Sequence, residues 1–172
     1  MTPFVTAGAG FLLAVLWFDL MFDVQALSHR GRELPEHTLA SIAGYYRRVT
    51  TTARPMNRLV AAVMLATIGA IIAQIVRGDR PQWVGWVSLV LAGAAILLAA
   101  LRTVPAAVRL GARTDSSRHQ SELAESIGRD HVFCAAAIVA LVALEAVVRP
   151  TTRLPLMRYL SNTGARENVV GH

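Results

Sequence analysis

Apolar positions along the chain fall into four long runs. The first spans Pro3 to Phe22 and is broken only by Asp19. The second, Leu59 to Val76, holds Gln74 but no charge. The third, Trp83 to Leu101, is also uncharged, and the fourth, Val132 to Val148, carries only Glu145. Each run is about long enough to cross a hydrocarbon core of roughly 30 Å at about 1.5 Å per helical residue. Lipid offers no partner to a backbone N–H or C=O, so each run predicts a helix. The pattern predicts an all-α fold: a transmembrane four-helix bundle over residues 1–149, followed by a loosely ordered C-terminal tail, 150–172.

The stretches between the runs are patterned too. Leu39, Ile42, Tyr46 and Val49 recur at helical spacing between Glu36 and Arg54. They predict an amphipathic helix lying on or near the membrane and ended by Pro55. Arg102, Arg109 and Arg113 share one face of a helix that continues the third run, with Pro105 placed to kink it. Ser117 followed by Gln120 resembles a helix start, so the fourth helix begins about four turns before its apolar run.

Charge adds a direction to this picture. Charged residues make up only 16% of the chain, against about 25% in soluble domains, and they collect between the runs. All cationic residues except histidine are arginine. Eleven lie in the first and third connections and six elsewhere. Arginine excess marks the cytoplasmic side. The expectation is a multi-pass protein of the cell membrane with both termini outside and helical extensions on the cytoplasmic side. Trp83 and Trp86 would sit at the outer interface. Residues 1–18 contain no Arg, and no small-residue cleavage site follows Phe22, so the first run reads as an uncleaved helix. The net charge of +6 comes with no nucleic-acid recognition motif, and nucleic acid is not an expected partner. Cys134 is the single cysteine, which excludes an internal disulfide.

Candidate chemistry lies where polar residues meet the inner ends of the runs. Asp19 and Asp23 are one helical turn apart on one face. Asn57 and Arg58 open the second run, Arg102 closes the third, and Asp130 and His131 open the fourth. Up-and-down packing gathers them at one mouth. An ionised aspartate at a helix centre costs about 2.5–3.5 kcal/mol in lipid, less near an end, so Asp19 needs a cation such as Arg58 or Arg102, or water. His131 suits proton transfer near neutral pH. Tyr45 and Tyr46 offer a hydroxyl or an aromatic wall, and Arg109 a further contact. The plainer reading is that these are ordinary boundary residues: charges at helix ends, arginines reaching for headgroups, tyrosines as anchors. Asp19, Asp23 and His131 form a ligand type that suits iron or manganese, but no Glu-x-x-His pair accompanies them. No metal and no cofactor is therefore assigned. Glu145 has Arg149 four residues later, the spacing of a local ion pair. His119, Glu122 and Glu125 read as solvating residues. No nucleophile, phosphate-loop or dinucleotide motif is present.

The order of features resembles the anthrone-oxygenase-like family of small four-span membrane proteins. The resemblance lies in Tyr45-Tyr46-Arg47-Arg48 after the first run and in the segment Arg102 to Leu110 around Pro105. It continues in the polar helix from Ser121-Glu122-Leu123 to Asp130-His131. Ile127 and Cys134 stand where that family tends to have an aromatic and an arginine. The resemblance implies cofactor-independent oxidation of an aromatic, polyketide-like substrate with His131 as the carried-over residue. Three functions are thus in view. They are a structural or accessory membrane subunit, a membrane-embedded oxidoreductase acting on a hydrophobic aromatic molecule, and a transporter component. Their partners are the lipid bilayer and either a hydrophobic small molecule or a membrane protein. An enzyme predicts a cavity lined by Asp19, Arg58, Arg102 and His131. An accessory subunit predicts a filled bundle with an apolar outer groove. A transporter predicts a polar path joining Asp19 to Gln74 or Glu145.

Overall fold

The structure, a computed structural model, describes residues 2–29 and 31–148. The expected tail and Arg149 lie outside the described residues. Among those described, all regular structure is helical: α1 (Thr2–Leu27), α2 (Glu36–Arg47), α3 (Arg54–Arg77), α4 (Gln82–Leu98), α5 (Val104–Ala112) and α6 (Ser117–Val147). Four stretches, Thr2–Leu27, Pro55–Arg77, Gln82–Ala112 and Ser117–Val147, are long and apolar enough to cross a membrane. Only 17% of the apolar window of the first, and of the second, is buried inside the molecule. Phe4, Leu65, Val90 and Val147 all stand outward. Surfaces of that kind need an apolar solvent. This is the build of a multi-pass membrane protein.

Local sequence explains where the helices break. Gly78 takes a left-handed φ of 64°, and the N–H groups of Gly78 and Asp79 bond back to Ile75 and Gln74, which closes α3. Pro81 then precedes the first turn of α4. Two wide turns, Arg48–Thr52 and Ala99–Thr103, have i to i+5 hydrogen bonding. In the first, the Thr50 hydroxyl donates to Tyr46 O at 2.7 Å, and that of Thr51 to Arg47 O. The second lies just before Pro105, which has no N–H to offer Leu101 O. The kink expected at Pro105 thus takes the form of a widened turn. At the start of α6 the capping side chain is Ser116, accepting from the His119 N–H at 3.4 Å, one residue before the serine the sequence suggested.

In the bundle, α6 packs on α1 and α4, and α3 packs on the same two helices. Small residues dominate the contact, with Ala9, Ala92, Ala95 and Ala137 set among Ile71, Ile138 and Leu141. Small side chains let helix backbones approach closely in lipid. A second core joins α2, α5 and the first half of α6. Leu39, Ile42, Leu110 and Ile127 are fully buried there, worth about 1.5–3 kcal/mol each where water is the alternative. This corrects one expectation: the apolar face of α2 is covered by α5 and α6 and does not lie on a membrane. Three amphipathic segments satisfy one another. Gly111 makes the fit possible, since a Cβ there would lie 2.9 Å from the Arg47 backbone nitrogen.

Candidate functional site

The last turns of α1 carry Asp19 and Asp23 toward α6 and α2. Gly128 lets α6 cross α1 at close range: a Cβ on it would sit 3.2 Å from Asp23 Cβ. Three residues later His131 meets the same carboxylate, with Nδ1 2.6 Å from Asp23 Oδ2. From α2, the Tyr46 hydroxyl donates to Asp23 Oδ1 at 2.6 Å, and the Tyr45 hydroxyl to Asp19 Oδ1 at 2.6 Å. Two Asp–Tyr pairs therefore stand one helical turn apart, with the imidazole against both. The rings add a wall. Phe22 stacks on Tyr45 with centroids 4.0 Å apart, Tyr45 meets Tyr46 edge-on, and Tyr46 lies near-parallel to His131.

The two carboxylates differ in access. Asp23 is fully buried and holds donors on both oxygens. Its acceptor role puts the proton of the histidine on Nδ1, which leaves Nε2 with a lone pair when the ring is neutral. Nε2 is 4.0 Å from Asp19 Oδ2, too far for a direct hydrogen bond. Burial pushes the Tyr46 phenol well above its ordinary value, and the Asp23 charge pushes it further. Burial and then the hydrogen bond to Asp19 raise Tyr45 in the same way. Both tyrosines thus remain O–H donors across the physiological range.

Asp19, Tyr45, Tyr46 and His131 open onto a cavity of about 630 Å³. Much of its remaining wall is apolar, including Leu12, Leu16, Val60, Met64 and Ile96. His131 lines the cavity and Asp23 does not; Nε2, with no hydrogen-bond partner among the described residues, lies on the side of Asp19, which also lines it. Phe18, Met56, Val104 and Val108 line the cavity and are themselves exposed, which gives it an apolar rim. A mostly apolar space with a few convergent polar groups is the usual form of a small-molecule site.

The structure gathers some of the expected residues and separates others. Asp19, Asp23, Tyr45, Tyr46 and His131 come together. Asn57 lines the cavity, with its amide donating to Val49 O at 2.6 Å. The arginines do not join. Arg58 is exposed and pairs with no carboxylate among the described residues. Arg102 reaches Asp130 at 3.3 Å and Ser126 at 2.9 Å on α6. Arg109 bonds Asp115 and His119. The partner of Asp19 is thus a tyrosine hydroxyl and not an arginine; Arg102, in the wide turn before α5, is held by Asp130 and Ser126 of α6. Among the described residues no group of three His, Cys, Asp or Glu is arranged to hold a metal ion.

Sequence reasoning underestimated a second cluster at the far end of the bundle. Glu145 is buried, with Ser88 Oγ 3.1 Å from one oxygen and Gln74 Nε2 3.3 Å and Arg80 Nη2 3.4 Å from the other. Arg80 also donates to Glu145 O at 2.9 Å, and Thr2 Oγ1 accepts from both Gln74 and Arg80. Gln74 Oε1 and Arg80 Nη1 have no hydrogen-bond partner among the described residues. Gln74 and Glu145 were visible as rare polar residues inside apolar runs. Arg80, in the short connection at the same end, was the nearest available cation.

Compared with protein-family models, with curated proteins and with solved structures, the chain matches none of them.

Proposed function

We propose that the chain is a membrane-embedded acid–base enzyme of oxidoreductase type, acting on a flat, hydrophobic, weakly acidic aromatic molecule. The observation that carries this reading is that His131 lines a cavity of about 630 Å³ beside Asp19, with no hydrogen-bond partner at Nε2 among the described residues. In this reading Nε2 takes a proton from a substrate hydroxyl or activated C–H. The Nδ1–H bond to Asp23 holds the ring in place and stabilises the imidazolium that forms. Asp19 lies within reach of the same substrate atom. The Phe22–Tyr45–Tyr46 wall supports a flat ring, and the apolar lining keeps water away from the deprotonated substrate. Positioned proton transfer of this kind contributes roughly 10²–10⁴ in rate. The family resemblance implies that dioxygen is the oxidant and that no cofactor takes part. We place the His131 end at the cytoplasmic face of the cell membrane, on the arginine distribution.

The accessory-subunit reading draws on a different feature, an open apolar groove between α1 and α3 beside Gly8 and Thr67. It predicts a filled bundle, and the cavity favours the enzyme instead. A transporter is supported least. Ala9, Ala92, Ile138 and Leu141 form an apolar barrier between the His131 and Glu145 ends.

The test is turnover of anthrone and dioxygen to anthraquinone and water by the purified protein. The expected result is catalysis above the buffer rate, with His131→Gln lowering it by roughly 10²–10⁴ while helicity is retained. Wild-type protein no faster than buffer, or a variant as fast as wild type, defeats the proposal.

A further inference from the structure

On the reading of the cavity as the substrate site, we infer that the substrate enters it sideways from the bilayer, as a neutral molecule dissolved in lipid. Its path is a window between α3 and the wide turn Ala99–Thr103. Six residues of the cavity lining are exposed: Phe18, Met56, Ala61, Ala100, Val104 and Val108. All are apolar, and all lie within the stretches long and apolar enough to cross a membrane. The polar residues of the lining, Asp19, Asn57 and His131 among them, are buried or half-buried. The cavity therefore meets the outside only through apolar surface at the level of the spans, where the neighbour is lipid.

The backbone places the opening. α3 packs on α4 near the Gly78–Pro81 connection, where Gly85 lies too close to the Ile75 side chain to carry a Cβ at ease. Farther along, α5 packs on α2 instead. Among the described residues no Cα of α3 comes within 8 Å of one in Ala99–Thr103, α5 or α6. The gap is closed again toward α2, because the wide turn Arg48–Thr52 packs on α5 and Gly111 lies against Arg47. A window is left between two closed ends. Met56 and Ala61 stand on its α3 side, and Ala100, Val104 and Val108 on the other. Alanine at 61 and 100 keeps it wide. Such a window sorts molecules by charge. An ion would give up its hydration with no polar group in the opening to replace it, which is strongly unfavourable. The protonated form of a weak lipophilic acid passes, and it meets Asp19, Tyr45 and His131 only inside. Deprotonation thus follows entry, and water-soluble acids are excluded as substrates.

The test is photolabelling in phosphatidylcholine nanodiscs with two carbene-forming probes. One is free trifluoromethyl phenyl diazirine. The other is a phosphatidylcholine carrying the same group at the end of one acyl chain, so that it can reach the cavity only from within the bilayer. Insertion is mapped by peptide mass spectrometry at Cys134 and Ile138, which line the cavity and are buried, and at Leu65, which stands outward and serves as reference. Both probes are expected to label all three positions in the wild type, a comparison that needs no variant. Ala61→Trp with Ala100→Trp, both at exposed positions, should abolish labelling of Cys134 and Ile138 and leave that of Leu65 unchanged. A tethered probe confined to Leu65 while the free one marks Cys134 and Ile138 overturns the inference and leaves the cavity reading intact. So does a folded double variant labelled like the wild type. If neither probe marks Cys134 or Ile138, the cavity reading and this inference fall together.

Discussion

The two ends of the bundle each bury an acid among hydrogen-bonding groups, yet they have opposite characters. At one end Glu145 is enclosed, both carboxylate oxygens have donors, and its cation Arg80 is almost as deeply buried. At the other, Asp23 is equally enclosed, but it holds a histidine that lines the cavity and has no hydrogen-bond partner at its second nitrogen among the described residues. The Glu145 cluster ties α1, α3, α4 and α6 together and offers no obvious group to a ligand. The Asp23 cluster spends one carboxylate on orienting His131 and leaves Asp19, with Tyr45 as donor, beside the cavity. Burial of charge is thus no guide to function by itself. What separates a clamp from a site is whether a reactive atom remains unpaired next to room for a ligand.

The largest expected effect follows from the closed end. Glu145→Ala strands Arg80 in an apolar interior, and breaking a buried pair by removing one partner costs about 3–5 kcal/mol. Thermal unfolding in mild detergent should show that loss, while turnover per folded molecule stays within about two-fold of wild type, since no group near the cavity has changed. Asp23→Asn should reverse the pattern. Stability falls by only about 1–3 kcal/mol, because an amide keeps one acceptor for either neighbour, while turnover drops steeply as His131 loses its orienting carboxylate. If Glu145→Ala spares stability or Asp23→Asn spares turnover, the contrast between the ends is wrong.

A middle-sized effect belongs to Gly128. Valine there would press on Asp23 Cβ and on the Leu27 side chain, at 3.2 Å and 3.1 Å from the new Cβ. Overpacking of this kind costs about 1–3 kcal/mol. The same push separates α6 from α1, and a misplacement of about 1 Å at a reacting group can cost roughly 10² in rate. Gly85→Val, which meets the flexible Ile75 side chain beside the Glu145 end, should lower stability without that loss of turnover. Equal effects of the two on turnover would mean that the α1–α6 crossing does not set the position of His131.

Much of this contrast was legible in the sequence, for a local reason. Helical periodicity places Asp19 and Asp23 on one face, and the lengths of the four runs bring His131 to the same end. The fold class followed from the same runs. What was not legible depends on how α2 docks. Tyr46 shares the apolar stripe of Leu39 and Ile42, so periodicity marks it as buried, but nothing local says that its hydroxyl ends on Asp23. The arginines misled for a related reason. Arg58 and Arg102 are the nearest cations by position along the spans, but Arg102 finds Asp130 across the widened turn at Ala99–Thr103, a backbone departure that a regular helical count does not contain. Arg80 was overlooked because Arg149, four residues after Glu145 in the sequence, offered a simpler partner.

The smallest expected effect tests whether Tyr46 is as tightly held as the geometry states. Tyr46→Phe removes one of the two donors to Asp23 and should cost about 1–3 kcal/mol at neutral pH, as for a buried acceptor left short of a partner. The sign of its pH dependence is fixed. Burial and the neighbouring Asp23 charge raise the phenol in the folded protein, so the neutral form is favoured by folding. The stabilisation is therefore complete below the unfolded tyrosine value of about 10 and fades as pH rises above it, when the unfolded chain ionises first. Wild type and Tyr46→Phe should unfold with a constant gap in stability from pH 7 to about 9.5. Above about 10 the gap should narrow by up to roughly 1.4 kcal/mol per pH unit. A gap that widens as pH rises toward that point, or that stays constant above it, would mean that Tyr46 ionises at least as easily in the folded protein as in the unfolded chain. It would then not be buried against a carboxylate, and the end of the bundle that holds His131 would lose the packing that distinguishes it from an ordinary membrane boundary.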